Sequence, residues 1–146
     1  MAYTGSQAIS AHGAQLLLGQ GVSPYTYVLI SEVGAITGPA FTATVIDVSN
    51  MESQGWKESI AGMRTGGQVS FEINWIPEDP THSYATGLLH YFANGLVAPL
   101  QLILPTTPSV TWSFMSIIKT FTPDLPLDGK LAVKVDVEIT GVPTLA

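Results

Sequence analysis

The stretch QVSFEINW, residues 68–75, alternates polar and apolar side chains at every position. Side chains of a β-strand point to opposite faces in turn, so this pattern predicts a strand with one buried face. The stretch KLAVKVDVEIT, residues 130–140, alternates in the same way and predicts a second such strand. The predicted buried faces carry Val69, Phe71, Ile73 and Trp75 on the first strand, and Leu131, Val133, Val135, Val137 and Ile139 on the second.

Four further strands are predicted on either side of these two. Runs rich in β-branched, aromatic and aliphatic residues occur at 27–33, 41–48, 99–104 and 110–119. The run at 110–119 is apolar on both faces, which predicts a strand that is covered on both sides.

One helix is predicted at residues 83–94. Apolar side chains recur there at helical spacing, Thr81 or Ser83 can cap its start, and Asn94-Gly95 favours its end. Because strands and helices do not alternate, a doubly wound parallel sheet is not expected. We predict a mainly β fold, a β-sandwich or partly closed barrel with one flanking α-helix.

Two irregular, glycine-rich segments flank the predicted strands. Residues 1–24 are predicted to be an extended N-terminal arm, and 25–146 a single domain that includes a long loop at 49–67. We expect these two segments to contact neighbouring subunits, and we expect a chain without residues 1–21, or with a cut loop, to fold but not to polymerise. The candidate inter-subunit residues are Leu16, Leu17 and Leu18 in the arm and Trp56, Lys57, Glu58 and Arg64 in the loop.

The composition indicates a surface that partners cover. Only 11% of the 146 residues are charged, against about 25% in a typical soluble domain. The apolar runs are far shorter than the ~20 residues that a membrane-spanning helix needs, and no signal peptide is expected. Net charge is −6 with five scattered basic residues, so tight binding to nucleic acid phosphates is not expected.

No catalytic or metal-binding constellation is recognisable, and we expect neither an enzyme nor a cofactor. The chain has no cysteine, and His12, His82 and His90 lack the spacing of metal ligands. His82 is expected in a solvated turn or helix cap. Trp56 is the tryptophan that no strand explains, and it leaves open an alternative, a monomeric β-sandwich that binds carbohydrate.

Several short motifs follow one another between residues 42 and 143. They are DVS at 47–49, GW at 55–56, IAGM at 60–63, VSFE at 69–72 and VEITGVP at 137–143, with an acidic turn and a helix between the last two. In this order and spacing they resemble the phage tail tube protein family of long-tailed phages. The resemblance implies a β-sandwich with a flanking helix, six copies of which form a ring. Rings would stack into a hollow virion tail tube, assembled in the host bacterial cytoplasm, through which DNA passes without specific binding.

The resemblance also implies partners and leaves one further alternative. A tape-measure protein, tail terminator and baseplate proteins are the expected partners, and the tube of a contractile tail or secretion system shares a related fold. The polar faces of the two alternating strands are candidates for the tube lumen. Their residues are Ser70, Glu72, Asn74, Lys134, Asp136 and Glu138.

Overall fold

In the computed structural model, which describes residues 9–21, 24–106 and 108–145, nine β-strands and one short α-helix follow one another. The strands are β1 (Gln15–Gln20), β2 (Thr26–Leu29), β3 (Val33–Thr37), β4 (Thr42–Asp47), β5 (Ser59–Thr65), β6 (Gln68–Asn74), β7 (Val97–Leu104), β8 (Val110–Asp124) and β9 (Ala132–Leu145), and the helix is α1 (Leu88–Ala93).

Seven strands form one antiparallel sheet in the order β2-β1-β7-β8-β9-β6-β3. The sheet curls into a half-barrel, and β4 and β5 form a separate two-stranded hairpin. The prediction of a mainly β, partly closed barrel with one helix is therefore confirmed.

The two alternating stretches lie side by side in the sheet and supply part of the core. Strands β6 and β9 pair with Phe71 opposite Val135 and Ile73 opposite Val133. Residues directly opposite each other in an antiparallel pair point to the same face, so these side chains form one apolar layer. All four are at most 2% exposed. The core continues across the sheet through Leu16, Leu18, Leu100, Leu102, Phe114 and Ile118.

Helix α1 is shorter than predicted and begins at Leu88. The N-cap is Gly87 rather than Thr81 or Ser83, because the chain before it is folded tightly back on itself. A Cβ atom at Gly87 would lie 2.6 Å from the backbone nitrogen of His82, so only glycine fits. The predicted stop is correct, since Asn94 is the C-cap and Gly95 follows with a φ of 63°.

The helix packs on the core face of β7 and β8. Leu88 and Tyr91 are its buried residues. The buried Tyr91 hydroxyl donates a 2.7 Å hydrogen bond to the Gly19 carbonyl in β1. Burial raises the pKa of this hydroxyl, so it stays protonated and keeps donating at ordinary pH.

His82 is fully buried, contrary to the expectation of a solvated turn or cap. Its Nδ1 accepts a 3.1 Å hydrogen bond from the Ile76 N–H, and its Nε2 lies 2.7 Å from the Ser31 carbonyl oxygen. Nδ1 can accept only when unprotonated, so Nε2–H is the donor to Ser31. The imidazole therefore joins the turn after β2 to the segment before α1.

The predicted N-terminal arm is too long at its C-terminal end. Residues 15–20 form β1, which lies between β2 and β7, and Leu16 and Leu18 are 0% exposed. The expectation that a chain without residues 1–21 folds normally is therefore wrong, because that deletion removes an interior strand. Residues 1–8, 22 and 23 of the predicted arm lie outside the described residues.

Other predicted boundaries also differ from the observed ones. The predicted strand at 27–33 is two strands, β2 and β3, separated by a turn in which Glu32 has a φ of 59°. The predicted loop at 49–67 contains β5. Strands β8 and β9 run on to Asp124 and Leu145, beyond the predicted ends.

Candidate assembly surfaces

The β4–β5 hairpin is an apolar element that the rest of the chain leaves uncovered. Every residue of β4 is exposed, and β5 has only Gly62 partly buried. No residue of either strand belongs to the hydrophobic core. The large apolar side chains exposed along the hairpin are Val45, Ile46, Val48, Met51, Trp56, Ile60 and Met63. Apolar surface of this extent marks an interaction site.

The tip of the hairpin, residues 48–58, is held rigid by its own hydrogen bonds. Ser53 is 8% exposed; its hydroxyl accepts from the Asn50 N–H, and its carbonyl accepts from the Trp56 N–H at 3.0 Å. Ser49 closes the base of the tip, where its hydroxyl accepts from the Glu58 N–H at 2.7 Å. The Trp56 side chain is 80% exposed on this ordered turn.

The tip is acidic. Glu52 and Glu58 within it, and Asp47 at the adjoining end of β4, outnumber its one basic residue, Lys57. The Ser49 hydroxyl and backbone N–H lower the pKa of Asp47, so this carboxylate stays charged at neutral pH.

A second surface is the polar face of β6 and β9. Ser70 lies opposite Asp136 and Glu72 opposite Lys134, while Gln68 lies opposite Glu138. The structure thus brings the six predicted lumen candidates onto one face, opposite the apolar layer of the core. The six are Ser70, Glu72, Asn74, Lys134, Asp136 and Glu138.

Hydrogen bonds extend this polar face onto β8. The Thr120 hydroxyl donates to Asp136 Oδ2 at 2.9 Å, and Lys119 Nζ lies 3.3 Å from Gln68 Oε1 and 4.0 Å from Glu138 Oε2. The Ser70 and Thr120 hydroxyls lower the pKa of Asp136. Among the described residues, Asp136 Oδ1 has no hydrogen-bond partner. The face therefore keeps an excess of negative charge.

The candidate inter-subunit residues lie in two separate regions. Trp56, Lys57 and Glu58 are at the exposed tip, and Arg64 is exposed near the base of β5, opposite Ala43. Leu16 and Leu18 lie in the chain's own core and have no exposed surface to offer a neighbour. Leu17 is half-buried on the other face of β1.

A groove at the base of the hairpin was not predicted from the sequence. It has a volume of about 690 Å³ and lies between β5 and the end of β9. Its lining includes Phe41, Met63, Val142 and Leu145, and Phe41 packs edge-on against Trp112 with ring centroids 5.6 Å apart. The exposure of Val142, at 96%, has no signal in the sequence, where the predicted strand ends at residue 140.

Among the described residues, no group of three or more His, Asp or Glu side chains is arranged to hold a metal ion. In the same part of the chain, no helix has the length and apolar character needed to cross a membrane.

Comparison with protein families gives a match to the model described as lambda phage tail tube protein, over residues 13–146. A search of curated protein sequences found no match.

Solved structures share the fold. A chain in the tail of an empty gene transfer agent particle, refined with helical and C6 symmetry, is 22% identical with a TM-score of 0.71, covering 90% of this chain and 95% of that one. The SPP1 tail tube is 10% identical with a TM-score of 0.65, covering 95% and 80%. A chain in the anti-feeding prophage baseplate is 12% identical with a TM-score of 0.67, covering 98% and 97%.

Proposed function

The chain belongs to the lambda phage tail tube protein family, and we propose that six copies close into a ring and that stacked rings form a hollow tube for DNA. As a member of this family it is a structural protein of the virion tail. The family match favours this function over a carbohydrate-binding module and over the tube of a contractile tail or secretion system.

The exposed hairpin is the observation that carries the proposal. The seven-stranded sheet and α1 complete a core without it, so its apolar side chains gain nothing from the fold of a single chain. A monomer would expose this surface to water. Covering it with a neighbouring copy would favour the assembled state over the monomer by roughly 25 cal/mol for each Å² of apolar surface covered. Self-assembly explains why such residues stand on a chain with so few charges.

We assign the polar face of β6 and β9 to the lumen. An excess of carboxylates there would keep DNA from binding to the wall, because lasting contact with phosphates needs several cations on one surface. Lys134 and Lys119 lie among these carboxylates rather than forming a basic stripe. Passage without specific binding follows from this arrangement.

Trp56, Lys57, Glu58 and Arg64 are proposed to contact neighbouring copies, together with Leu17 on the outer face of β1. A tape-measure protein inside the tube, and terminator and baseplate proteins at its ends, are the further partners we propose. The role is structural, with no catalytic step.

Electron microscopy of the purified chain tests the proposal. A folded domain of this length has a diameter of about 4 nm, so a ring of six has an outer diameter of roughly 12 nm and a hole of about 4 nm. We expect rings or tubes of this size with six-fold end views. A stable monomer at high concentration, or a ring of another order, would contradict the proposal.

A further inference from the structure

The groove at the base of the hairpin is an apolar site without an occupant in its own chain. Its lining includes Phe41, Met63, Val142 and Leu145. All of its lining residues belong to the described part of the chain, and Arg64 is the only charged residue among them. A groove of about 690 Å³ is large enough to take one or two large side chains.

The hairpin tip has the complementary character. Trp56 is 80% exposed and Met51 is fully exposed. Tryptophan is the residue type most enriched among side chains that anchor protein interfaces. Because hydrogen bonds from Asn50, Ser53 and Trp56 already order the turn, little conformational entropy is lost when it docks.

Charge supports the same pairing. The tip carries Glu52 and Glu58 against the single Lys57, and Asp47 adjoins it at the end of β4, whereas the groove carries Arg64. An acidic knob and a basic groove attract each other, whereas two tips or two grooves would repel.

The tip cannot fill the groove of its own chain. The paired part of the hairpin runs from Thr42 opposite Thr65 to Asp47 opposite Ser59. Five residues of strand span about 17 Å, so the hairpin itself holds Trp56 away from the groove at its base. An occupant with this chemistry must come from a second copy.

We propose that the hairpin tip of one copy docks into the groove between β5 and β9 of the next copy, with Trp56 as its anchor. This inference rests on the proposed self-assembly and specifies the receiving surface. The contact joins two different patches, so it is heterologous, and repetition generates a closed ring or an open stack rather than an isolated dimer. The C-terminal part of β9 is thus a receptor for a neighbour.

Site-directed cross-linking tests the pairing, and the absence of native cysteine makes it specific. Chains carrying Met51→Cys are mixed with chains carrying Val142→Cys, allowed to assemble, and treated with a flexible bismaleimide. We expect covalent dimers from the mixture and monomers from each variant alone. The control mixture replaces Val142→Cys with Leu127→Cys, a site that is 99% exposed in the β8–β9 loop, away from the groove. Equal yields in the two mixtures, or dimers from Met51→Cys alone, would overturn the proposal.

Substitution of the anchor gives a second readout. Trp56→Ala should raise the concentration needed for assembly at least about 10-fold, while Trp56→Phe should raise it less, since an aromatic ring is retained. Circular dichroism should show that both variants fold, because Trp56 is exposed. If wild-type chains assemble and Trp56→Ala assembles at the same concentration, the docking inference fails while the tube function stands. If wild-type chains do not assemble, the tube function itself fails.

Discussion

Removing the hairpin should separate folding from assembly. In the variant we consider, Asn-Gly replaces residues 44–63, so that a two-residue turn joins Ala43 to Arg64. These residues are directly opposite each other in the hairpin, and Asn-Gly is the preferred sequence for a two-residue turn between antiparallel strands. Phe41, which packs against Trp112, is retained.

The expected change in folding stability is small. None of the buried core residues comes from the deleted segment. The deletion therefore avoids the loss of about 2–5 kcal/mol in folding stability that follows when a core side chain is truncated. Shortening the connection from twenty residues to two changes loop-closure entropy by at most about 2 kcal/mol. The free energy of unfolding should therefore stay within about 2 kcal/mol of the full chain, and the Tm within about 8 °C.

Two measurements on the same sample check this prediction. Thermal unfolding followed by circular dichroism reports the stability, and sedimentation velocity with electron microscopy reports the assembly. We expect a cooperative transition and a monomer at concentrations where the full chain forms rings or tubes. The pair Ile46→Thr and Ile60→Thr, residues opposite each other in the intact hairpin, serves as a matched variant that removes apolar surface without shortening the chain. A hairpin-deleted chain that is unfolded, or that still forms tubes, would refute the reasoning.

Three further predictions concern the fold. Leu18→Ala should lower the free energy of unfolding by about 2–5 kcal/mol and Leu17→Ala by under about 1 kcal/mol, as measured by urea titration, because only Leu18 is fully buried; equal losses would contradict the placement of β1 in the core. His82→Ala should destabilise by about 2–4 kcal/mol and speed hydrogen exchange at the Ile76 amide, because it removes two buried hydrogen bonds; unchanged exchange would refute this. Because the pKa of Asp136 is lowered in the fold, its carboxylate stabilises the fold at pH values above the unfolded pKa of about 4. The difference in folding stability between the native chain and Asp136→Asn should therefore shrink as the pH falls below that value, and a pH-independent difference in urea midpoint would contradict this.

The sequence predicted those strands that have one buried and one polar face. Strands β6 and β9 meet this condition, because the core covers one side and the other is hydrated. Each therefore shows an alternation that a single chain can reveal. The polar residues of these strands were grouped correctly on one face for the same reason.

Strand β1 does not meet that condition. Its Leu16-Leu17-Leu18 run places buried residues on either side of a half-buried one, and glycine follows at position 19. A Cβ at Gly19 would meet the Pro99 ring at 2.6 Å, so the glycine allows close packing against β7 rather than a flexible arm. The composition of a flexible segment and that of a tightly packed interior strand are alike here, and only the pairing with Leu100 and Leu102 distinguishes them.

The hairpin shows why low charge could predict covered surface without locating it. Patterns of alternation arise when one chain buries one face of an element, and β5, with the sequence SIAGMRT, has no face that its own chain buries. Its apolar residues are placed by contacts between chains, so the physical constraint on them is absent from the fold of one copy. An element whose apolar residues are placed by contacts between chains should therefore look like this hairpin. Its sequence has the pattern of an irregular loop, and its structure is ordered and uncovered. By the same reasoning, substitutions in the core should change stability and leave the assembly geometry intact, while substitutions at the tip and groove should do the reverse.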